Sequence, residues 1–416
     1  MLEKKNEQNN HIIIIGGGQT ACFAAEEIRK YDKFSDLLII SNEKYLPYQK
    51  PPLSKDCLIG NMKYEECLIY DKNFYIKNNI KININETILK IDFKKKEIIT
   101  DKKNFYYYNK LLIALGSKPN KIEKFNLVSG EINYLRDIND SINIKKKIDK
   151  SSNILIIGAG FIGLEIASIL KVKKKNVTIV ESANQILGRT IPTGLSQIIQ
   201  NYHQLYGVDF NLNSKISNIL KKNENYEIHL DNKKIFHSDL IIAGIGSSPN
   251  TDLFVNSDLK IDNGIITNEY CETNIENVYA AGDIANFYHP FYKRYMRLET
   301  WKNAQNQGII AGRNIIGIKD KYDEIPWMWS DQYNLNIQLS GVCDDYDSHV
   351  IRGTKPSEGI IYFFIKNRKI IGACGVAFGG KIGRDIKIAS KLTKNNISIT
   401  KNYLSDTNTK LNKLLQ

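Results

Sequence analysis

Two stretches of the chain share one pattern, a short aliphatic run that breaks at glycines. They read IIIIGGGQTA from Ile12 and ILIIGAGFIG from Ile154. An unbroken aliphatic run is typical of a strand buried on both faces of a parallel sheet, and the glycines predict a turn that opens a helix. Such a turn leaves backbone N–H groups free to surround a pyrophosphate. The repeat therefore predicts two bound nucleotides.

The second copy matches G-x-G-x-x-G in full, with Gly158, Gly160 and Gly163. In order, these glycines permit a tight turn, a close approach to the pyrophosphate, and close packing of helix on strand. The next predicted strand ends at Glu181, whose carboxylate can accept hydrogen bonds from the two adenosine ribose hydroxyls. Because that charge would repel a 2′-phosphate, the sequence favours NADH over NADPH, a preference that the nearby Arg189 would weaken.

The first copy has Gly16 and Gly18, with Ala21 at the third position, where alanine is tolerated. Its second strand leads to Glu43, which can serve a ribose in the same way. For either copy alone, a plain strand-to-helix turn is the alternative, and for either glutamate a solvated strand end is the alternative. The recurrence of the whole arrangement favours nucleotide binding.

Farther along the chain, the pattern predicts loops, strands and a hairpin. Three prolines between Tyr45 and Lys55 predict an ordered loop. Buried strands are predicted to end at Gly116 and Asp283. The segment GIIYFFIKNRKIIGACGV predicts a hairpin that turns at residues 367–368, and the pattern beyond Asp385 is helical.

This order predicts an α/β fold with two Rossmann-like nucleotide-binding domains, one inserted in the other, and a C-terminal α+β domain. The first and third portions of the chain would form one nucleotide-binding domain, and the second portion would form the other. The predicted boundaries give portions 1–120, 121–244, 245–325 and 326–416.

Composition limits the class of function. The chain has 416 residues, 42% of them apolar, which suits two or three globular domains. Its net charge is +13, but the lysines are scattered and no nucleic-acid module accompanies them, so an acidic protein partner is favoured over nucleic acid. No apolar stretch is long enough for a membrane span, and MLEKKNEQNN lacks the apolar segment of a signal peptide, so a cytoplasmic enzyme is expected.

Cysteines and histidines are dispersed along the chain, six of each. No C-x-x-C pair occurs, so a sequence-local redox dithiol is excluded and no metal cluster is expected. We expect all six cysteines to be buried, and electrons to travel through bound organic cofactors.

Six longer motifs are more specific than a glycine turn. They are LPYQKPPLSK (46–55), LLIALGSKPN (111–120), GIGSSPNTDL (244–253), VYAAGDIANF (278–287), RLETWKNAQNQG (297–308) and PWMWSDQY (326–333). With these motifs the chain resembles, over nearly its whole length, the FAD-dependent NADH:ferredoxin reductases of bacterial aromatic-ring dioxygenase and cytochrome P450 systems.

The resemblance implies that the first turn holds FAD and the second NADH, in a glutathione-reductase-like arrangement. It assigns to FAD the residues Gly16, Gly18, Gln19, Ala21, Glu43, Lys50, Lys55, Gly116, Asp283, Glu299, Trp301 and Trp329. It assigns to NADH the residues Gly158, Gly160, Phe161, Ile162, Gly163, Glu165, Glu181, Arg189 and Gly246. It assigns no residue to a metal.

Two of these residues are expected to be catalytic. Lys55 resembles the lysine whose fixed charge stabilises the anionic reduced flavin, with a solvated loop charge as the alternative. Glu165 matches a glutamate that accepts a hydrogen bond from the nicotinamide carboxamide, or it only adds a favourable charge to the start of its helix. The resemblance places Asp283 at the ribityl chain or the pyrophosphate region of FAD, where its carboxylate can accept hydrogen bonds from ribityl hydroxyls.

Other positions of the flavin environment depart from the family pattern or have an alternative interpretation. Trp329 is either a lining residue between flavin and surface or an aromatic core residue of the C-terminal domain. Lys50 keeps the charge of the arginine that many relatives have, without its bidentate geometry. Leu115 and Thr300 replace a threonine and a histidine of the family pattern, so this environment differs in detail.

The implied mechanism is hydride transfer from NADH to the flavin, followed by single-electron transfer to a [2Fe–2S] or Rieske-type ferredoxin. The chain lacks cysteine spacing for a cluster, so the cluster belongs to the partner. The alternative is an NADH oxidase, or a flavoprotein like apoptosis-inducing factor, without a dedicated ferredoxin. A disulfide reductase is disfavoured because residues 44–48 contain no cysteine and Cys57 lies beyond the loop. The chain is expected to be a monomer or homodimer, and its terminal oxygenase stays open.

Overall fold

The computed structural model describes residues 11–125, 131–188, 190–398 and 400–415. Within them the chain divides into two compact units. The first comprises the chain up to Gln49, Glu65–Lys118 and Ser248–Glu324, and the second comprises Lys50–Tyr64, Pro119–Ser247 and the chain from Ile325. Two short strands, Ser117–Pro119 (β8) and Ser247–Pro249 (β17), lie where the chain passes from one unit to the other.

The first unit is built on a five-stranded parallel sheet. Its strands, in the order in which they pair and with numbers that follow the chain, are Val278–Ala280 (β19), Lys110–Ile113 (β7), His11–Ile15 (β1), Asp36–Ile40 (β2) and Ile80–Asn83 (β3). The aliphatic residues of the central strand β1 are all buried, as the unbroken run predicts.

Helix α1 (Gln19–Tyr31) follows β1 and packs on α7 (Trp301–Ile315). Two glycines of α7 allow the close approach, because a Cβ atom at Gly308 would lie 2.5 Å from the carbonyl oxygen of Thr20, and one at Gly312 would lie 2.7 Å from that of Ala24. The start of α1 is thereby fixed against the rest of the unit.

Smaller elements complete the first unit. One antiparallel sheet contains Ile88–Asp92 (β4), Glu97–Thr100 (β5) and Phe105–Tyr107 (β6). A second small sheet contains Ile265–Thr267 (β18), Ala285–His289 (β20) and Arg294–Met296 (β21), and the remaining α-helix is Lys72–Lys77 (α3).

The second unit repeats the parallel design. Its sheet, in pairing order, contains Val208–Asn211 (β12), Asn176–Val180 (β11), Asn153–Ile157 (β10), Leu240–Ala243 (β16) and Asn133–Tyr134 (β9). Its helices here are Asp56–Ile59 (α2), Ile138–Lys150 (α4), Phe161–Val172 (α5) and Thr193–Leu205 (α6). An antiparallel sheet adds Ile216–Lys222 (β13), Asn225–Leu230 (β14) and Ile235–Ser238 (β15).

The C-terminal part is a five-stranded antiparallel sheet with helices. The strands are Trp327–Gln332 (β22), Leu335–Gly341 (β23), Ser348–Arg352 (β24), Ile360–Lys366 (β25) and Lys369–Phe378 (β26), paired in the order β22, β23, β26, β25, β24. The helices are Gly383–Lys394 (α8) and Lys401–Ser405 (α9). The predicted hairpin is confirmed: its turn residues Asn367 and Arg368 both have positive φ, 50° and 63°, as a tight two-residue hairpin turn requires.

The C-terminal sheet and the nucleotide-binding sheet of the second unit share one apolar core. Ile166 of α5 belongs to the same buried cluster as Ile337 and Phe364 of the C-terminal sheet. The predicted α/β class with two Rossmann-like sheets and a C-terminal α+β part is confirmed, and the bounds of the four portions stay a prediction. In the described part of the chain, no helix combines the length and apolarity needed to cross a bilayer.

Candidate functional site

In the first unit, the predicted FAD residues lie at the carboxyl ends of the parallel strands. The chain reaches Gly16 after β1, Glu43 after β2, Gly116 after β7 and Asp283 after β19. These strands are neighbours in one parallel sheet, so their ends lie along one edge. A crevice at that edge is where open α/β sheets bind ligands.

In the first glycine turn, the fold requires a glycine at position 16 but not at position 18. Gly16 has φ 114°, and a Cβ atom there would lie 2.2 Å from the carbonyl oxygen of Ala114. Gly18 has φ −92°, which any residue can adopt, and no heavy atom of the described residues lies within 4 Å of a Cβ placed there. Gly18 also begins α1 without a side-chain cap. The open space and the free N–H groups fit the FAD pyrophosphate.

Asp283 is held beside this turn by a second glycine contact. Gly282 has φ 82°, and a Cβ atom there would lie 2.3 Å from Oγ1 of Thr20 in α1. The backbone N–H of Gly282 donates to Oε1 of Gln307 at 2.7 Å, and Ser117 Oγ donates to Asp283 at 3.2 Å. Asp283 therefore directly follows a glycine that packs against the start of α1, and Ser117 holds its carboxylate.

Further FAD candidates in this unit are tied together by hydrogen bonds. Gln19 Nε2 donates to the backbone oxygen of Trp301 at 2.7 Å, and Tyr48 OH donates to Glu43 Oε2 at 2.5 Å. Glu299 pairs with Arg297. Ala21 is fully buried, as expected of the position where helix packs on strand.

The second glycine turn shows the same division. Gly158 has φ 97°, and a Cβ atom there would lie 2.5 Å from the carbonyl oxygen of Gly244, whereas one at Gly163 would lie 2.3 Å from that of Gly158. At Gly160 the nearest heavy atom of the described residues would be 3.8 Å away, and α5 begins there without a side-chain cap. Ile162, at the start of α5, is exposed. This turn therefore fits a nucleotide that enters from solvent.

Glu181 lies at the end of β11 and holds the loop backbone. Its Oε2 accepts from the N–H of Ala159 at 2.8 Å, and its Oε1 accepts from the N–H of Ala183 at 2.8 Å. Phe161 is half-buried at the first position of α5, and Gly246 follows β16 with φ 91°. Arg189 lies outside the described residues.

The two predicted catalytic residues are brought together in the second unit. Lys55 Nζ lies 3.4 Å from Glu165 Oε1 and 3.5 Å from Asp331 Oδ2. Two hydroxyls also donate to the Glu165 carboxylate, Ser54 at 2.6 Å and Ser330 at 2.7 Å. Glu165 is therefore a buried carboxylate with three polar partners, and Lys55 is paired rather than a solvated loop charge.

Burial raises the pKa of the Glu165 carboxyl above its ordinary value, while Lys55 and the two hydroxyl donors oppose that shift. Only 8% of its side chain is exposed, so the charged form loses most of its hydration. A carboxyl with opposed influences of this kind, at the start of the helix that follows a nucleotide turn, is a candidate functional group.

Trp329 and Lys50 also belong to the second unit. Lys55 Nζ lies 5.8 Å from the ring centre of Trp329, and the ring of Trp329 stacks on that of Trp327 at 5.1 Å. Lys50 Nζ donates to the backbone oxygen of Arg136 at 3.4 Å. The contribution of Lys50, Lys55 and Trp329 to the flavin site stays a prediction.

The sequence analysis missed several partners of Glu165. Ser54 lies in the proline-rich motif and Ser330 in WSDQ, so the motifs contained them but nothing indicated their contact with Glu165. Gln332, which is fully buried, also lies in WSDQ, whereas the fully buried His203 lies in none of the motifs.

The cysteines are all free. Five are buried as predicted, and Cys343 is a correction, because it is only half-buried. Burial raises the pKa of Cys22, Cys271 and Cys343 to about 12, so these thiols are poor thiolates at neutral pH. Among the described residues, no group of three or more histidine, cysteine or acidic side chains is placed to hold a metal ion.

Residues 10–308 match the family model described as pyridine nucleotide-disulphide oxidoreductase, and residues 327–415 match that of the reductase C-terminal domain. The ferredoxin–NAD(+) reductase component of a 3-phenylpropionate/cinnamic acid dioxygenase from Photorhabdus laumondii is 31% identical over 388 residues, 93% of this chain and 97% of that protein. This chain belongs to the ferredoxin–NAD(+) reductase family. It is an oxidoreductase that depends on FAD and NAD(H), as predicted.

Two further comparisons support the reductase assignment. The crystal structure of the ferredoxin reductase for the CYP199A2 system from Rhodopseudomonas palustris has a TM-score of 0.93 and 26% identity, and the match covers 97% of this chain and 99% of that chain. A rubredoxin–NAD(+) reductase from Pseudomonas putida is 30% identical over 341 residues, 82% of this chain and 89% of that protein.

Proposed function

We propose that this reductase takes electrons from NADH and passes them through FAD, one at a time, to a [2Fe–2S] ferredoxin that supplies a Rieske dioxygenase or a cytochrome P450. The observation that carries the proposal is the combination of two open nucleotide turns with buried thiols. A disulfide reductase needs a reactive thiolate beside the flavin. Because all six cysteines are free and burial raises the pKa of Cys22 and Cys271 to about 12, an external one-electron acceptor is favoured over an internal disulfide.

When bound, FAD supplies the conversion of one hydride transfer into two single-electron transfers. The protein's own residues position the donor. Glu181 accepts hydrogen bonds from the adenosine ribose hydroxyls of NADH, and Glu165 accepts one from the carboxamide. Lys55 holds the Glu165 carboxylate at 3.4 Å and is the predicted cation for the reduced flavin.

The acceptor is tested with purified holoenzyme under anaerobic conditions. We expect NADH to bleach the flavin absorbance and then to reduce an added [2Fe–2S] ferredoxin, with NADPH at least about tenfold less efficient. Ferricyanide serves as a control for flavin reduction without a protein partner. Rapid flavin reduction with no transfer to any [2Fe–2S] ferredoxin tried would contradict the acceptor, and equal rates with NADPH would contradict the role of Glu181.

A second candidate acceptor is rubredoxin, because a relative named rubredoxin–NAD(+) reductase is 30% identical to this chain. Parallel assays with rubredoxin and ferredoxin at equal concentration distinguish the two by their kcat/KM values. Rapid oxygen consumption in air, together with failure of both carriers, would instead support an NADH oxidase. Whether the reductase is a monomer or a homodimer stays a prediction.

A further inference from the structure

A buried chain of hydrogen bonds connects helix α6 to the carboxylate of Glu165. His203 Nε2 lies 2.8 Å from Gln332 Oε1, Gln332 Nε2 donates to Ser330 Oγ at 3.2 Å, and Ser330 Oγ donates to Glu165 Oε1 at 2.7 Å. Ser330, Gln332 and His203 are each 0% exposed. The alternation of strand β22 puts Ser330 and Gln332 on one face, which lets both take part.

The direction of donation along these hydrogen bonds follows from the carboxylate at one end. An ionised carboxylate only accepts, so the hydroxyl of Ser330 must donate to it and can then accept from its other partner. The amide nitrogen of Gln332 meets that hydroxyl, which turns the amide oxygen toward His203. The imidazole must therefore donate from Nε2, and every link points toward Glu165.

The surroundings of His203 suit this single tautomer. Tyr333 OH lies 3.3 Å from Nδ1, so an unprotonated Nδ1 accepts from the phenol. The ring centres of Tyr333 and Phe210 lie 5.1 and 6.2 Å from the centre of the imidazole ring. Burial lowers the pKa of His203 to about 4, which keeps the ring neutral near pH 7.

Tyr333 is the first residue of the turn that joins β22 to β23. Its φ is 57°, a left-handed conformation that is uncommon for an aromatic residue. The Tyr333 ring stacks on Tyr206 at 3.8 Å while its hydroxyl faces His203. This φ belongs to the two-residue turn between β22 and β23, and the turn places the phenol of Tyr333 next to His203.

We propose that His203 is a positioning residue, which donates from Nε2 to fix Gln332 and Ser330 so that the Ser330 hydroxyl points at Glu165. Without this donor, the amide of Gln332 can rotate and the hydroxyl can turn away from the carboxylate. Glu165 would then depend on Lys55 and Ser54, with the half-exposed Asp331 competing for the lysine. The loss of one charge-assisted hydrogen bond favours the protonated form of Glu165.

Only the kinetic consequence of this inference rests on the proposed function, because the hydrogen-bond chain can be measured without an electron acceptor. The primary experiment is ¹⁵N NMR of the holoenzyme with labelled histidine, with the His203 signals assigned by their loss in His203→Gln. We expect a neutral ring protonated at Nε2 from pH 8 down to about pH 5. A ring protonated at Nδ1, or a doubly protonated ring at neutral pH, would overturn the proposal.

The second measurement follows the protonation of Glu165 by infrared difference spectroscopy, with Glu165→Gln as the spectral blank. We expect His203→Phe, which keeps an aromatic ring but removes the donor, to move the midpoint of this carboxyl band upward by about one pH unit. His203→Gln retains an N–H donor of similar reach and should restore the wild-type midpoint. Gln332→Met removes the middle link of the hydrogen-bond chain, and it provides the same test if His203→Phe does not fold.

His289 provides the matched control, because it is also 0% exposed but lies in the first unit, outside the chain of hydrogen bonds. His289→Phe should leave the Glu165 midpoint unchanged. An unchanged midpoint in His203→Phe and Gln332→Met would overturn the proposal. In stopped-flow reduction by NADH, the acid limb of the rate profile should shift in parallel with the infrared midpoint. If the infrared midpoint shifts but the rate profile does not, the hydrogen-bond chain is supported and the role of Glu165 in hydride transfer is contradicted.

Discussion

Replacing Gly160 by alanine tests whether the open glycine serves a ligand rather than the fold. Gly160 has φ −79° and ψ −179°, a conformation that alanine adopts, and the nearest heavy atom to the added Cβ is 3.8 Å away. Alanine reduces the entropy of the unfolded chain but is a poorer helix N-cap than glycine, so the net change in the free energy of unfolding stays within about 1 kcal/mol. The Cβ occupies space that a pyrophosphate would need. We expect the KM for NADH to rise by about tenfold or more, equivalent to about 1.4 kcal/mol of binding.

The matched control is Gly163→Ala, in the same turn. There the added Cβ would lie 2.3 Å from the carbonyl oxygen of Gly158, and a backbone oxygen cannot move aside as a flexible side chain can. Overpacking of this kind costs about 1–3 kcal/mol of stability. The two variants therefore differ in which property they lose, although they lie three residues apart.

The assay combines urea unfolding of the holoenzyme with stopped-flow reduction of the flavin at varied NADH concentration. Flavin absorbance of the purified protein reports FAD retention, which Gly160→Ala should preserve because the predicted FAD site is the other glycine turn. If Gly160→Ala loses as much stability as Gly163→Ala, or binds NADH as tightly as the wild type, the assignment of the open glycine to the nucleotide is wrong.

Three other predictions concern charged and titratable groups. Glu181→Gln removes the repulsion of a 2′-phosphate, so the ratio of kcat/KM for NADH over NADPH should fall by about tenfold or more; an unchanged ratio would contradict the role of Glu181. Lys55→Met removes the cation 3.4 Å from Glu165 and should slow flavin reduction in stopped-flow traces, whereas Lys55→Arg, which keeps the charge, should slow it less. The pKa of His203 falls from 6.5 to about 4 on folding, so the unfolded state binds more protons in that window and stability decreases as the pH falls through it. Urea unfolding should show a loss of up to about 3 kcal/mol that His203→Gln lacks, and equal slopes for both proteins would refute it.

Much of the fold follows from local patterns. The aliphatic runs predicted the buried strands His11–Ile15 and Asn153–Ile157, each followed by glycines and a helix. The turn at Asn367 and Arg368 could likewise be predicted from the sequence, because two strand-like runs flank two residues that suit a hairpin turn. In each case the determining residues lie within a few positions of one another.

The sequence predicted only in part which glycines the fold requires and which lie in open space. The motif gave Gly158, Gly160 and Gly163 distinct roles, but the close contacts that require Gly158 and Gly163 depend on where the carbonyls of Gly244 and Gly158 lie. Tertiary structure shows that the protein itself gives no steric reason for a glycine at position 160. We therefore predict that the glycine at position 160 makes room for the nucleotide.

The side chains that surround Glu165 could not be predicted from sequence patterns. Ser54 and Ser330 both donate to this carboxylate, although they lie 111 and 165 residues from it in the chain. Hydrophobic periodicity shows which face of α5 or β22 is buried, but not which polar side chains meet across the buried faces. The C-terminal part was predicted as a separate domain, and its shared core with α5 is what brings Ser330 to Glu165.

By itself, the sequence determined that two nucleotides bind, and the longer motifs identified them as FAD and NADH. These features are local, because a strand, a glycine turn and a helix start must follow one another directly for a pyrophosphate to bind. Only the tertiary structure decided that Lys55 and Glu165 form a buried pair, and that His203, Gln332 and Ser330 lead to it. The physical reason is that a buried charge needs partners in three dimensions, and distant segments supply them only after the helices and sheets have packed.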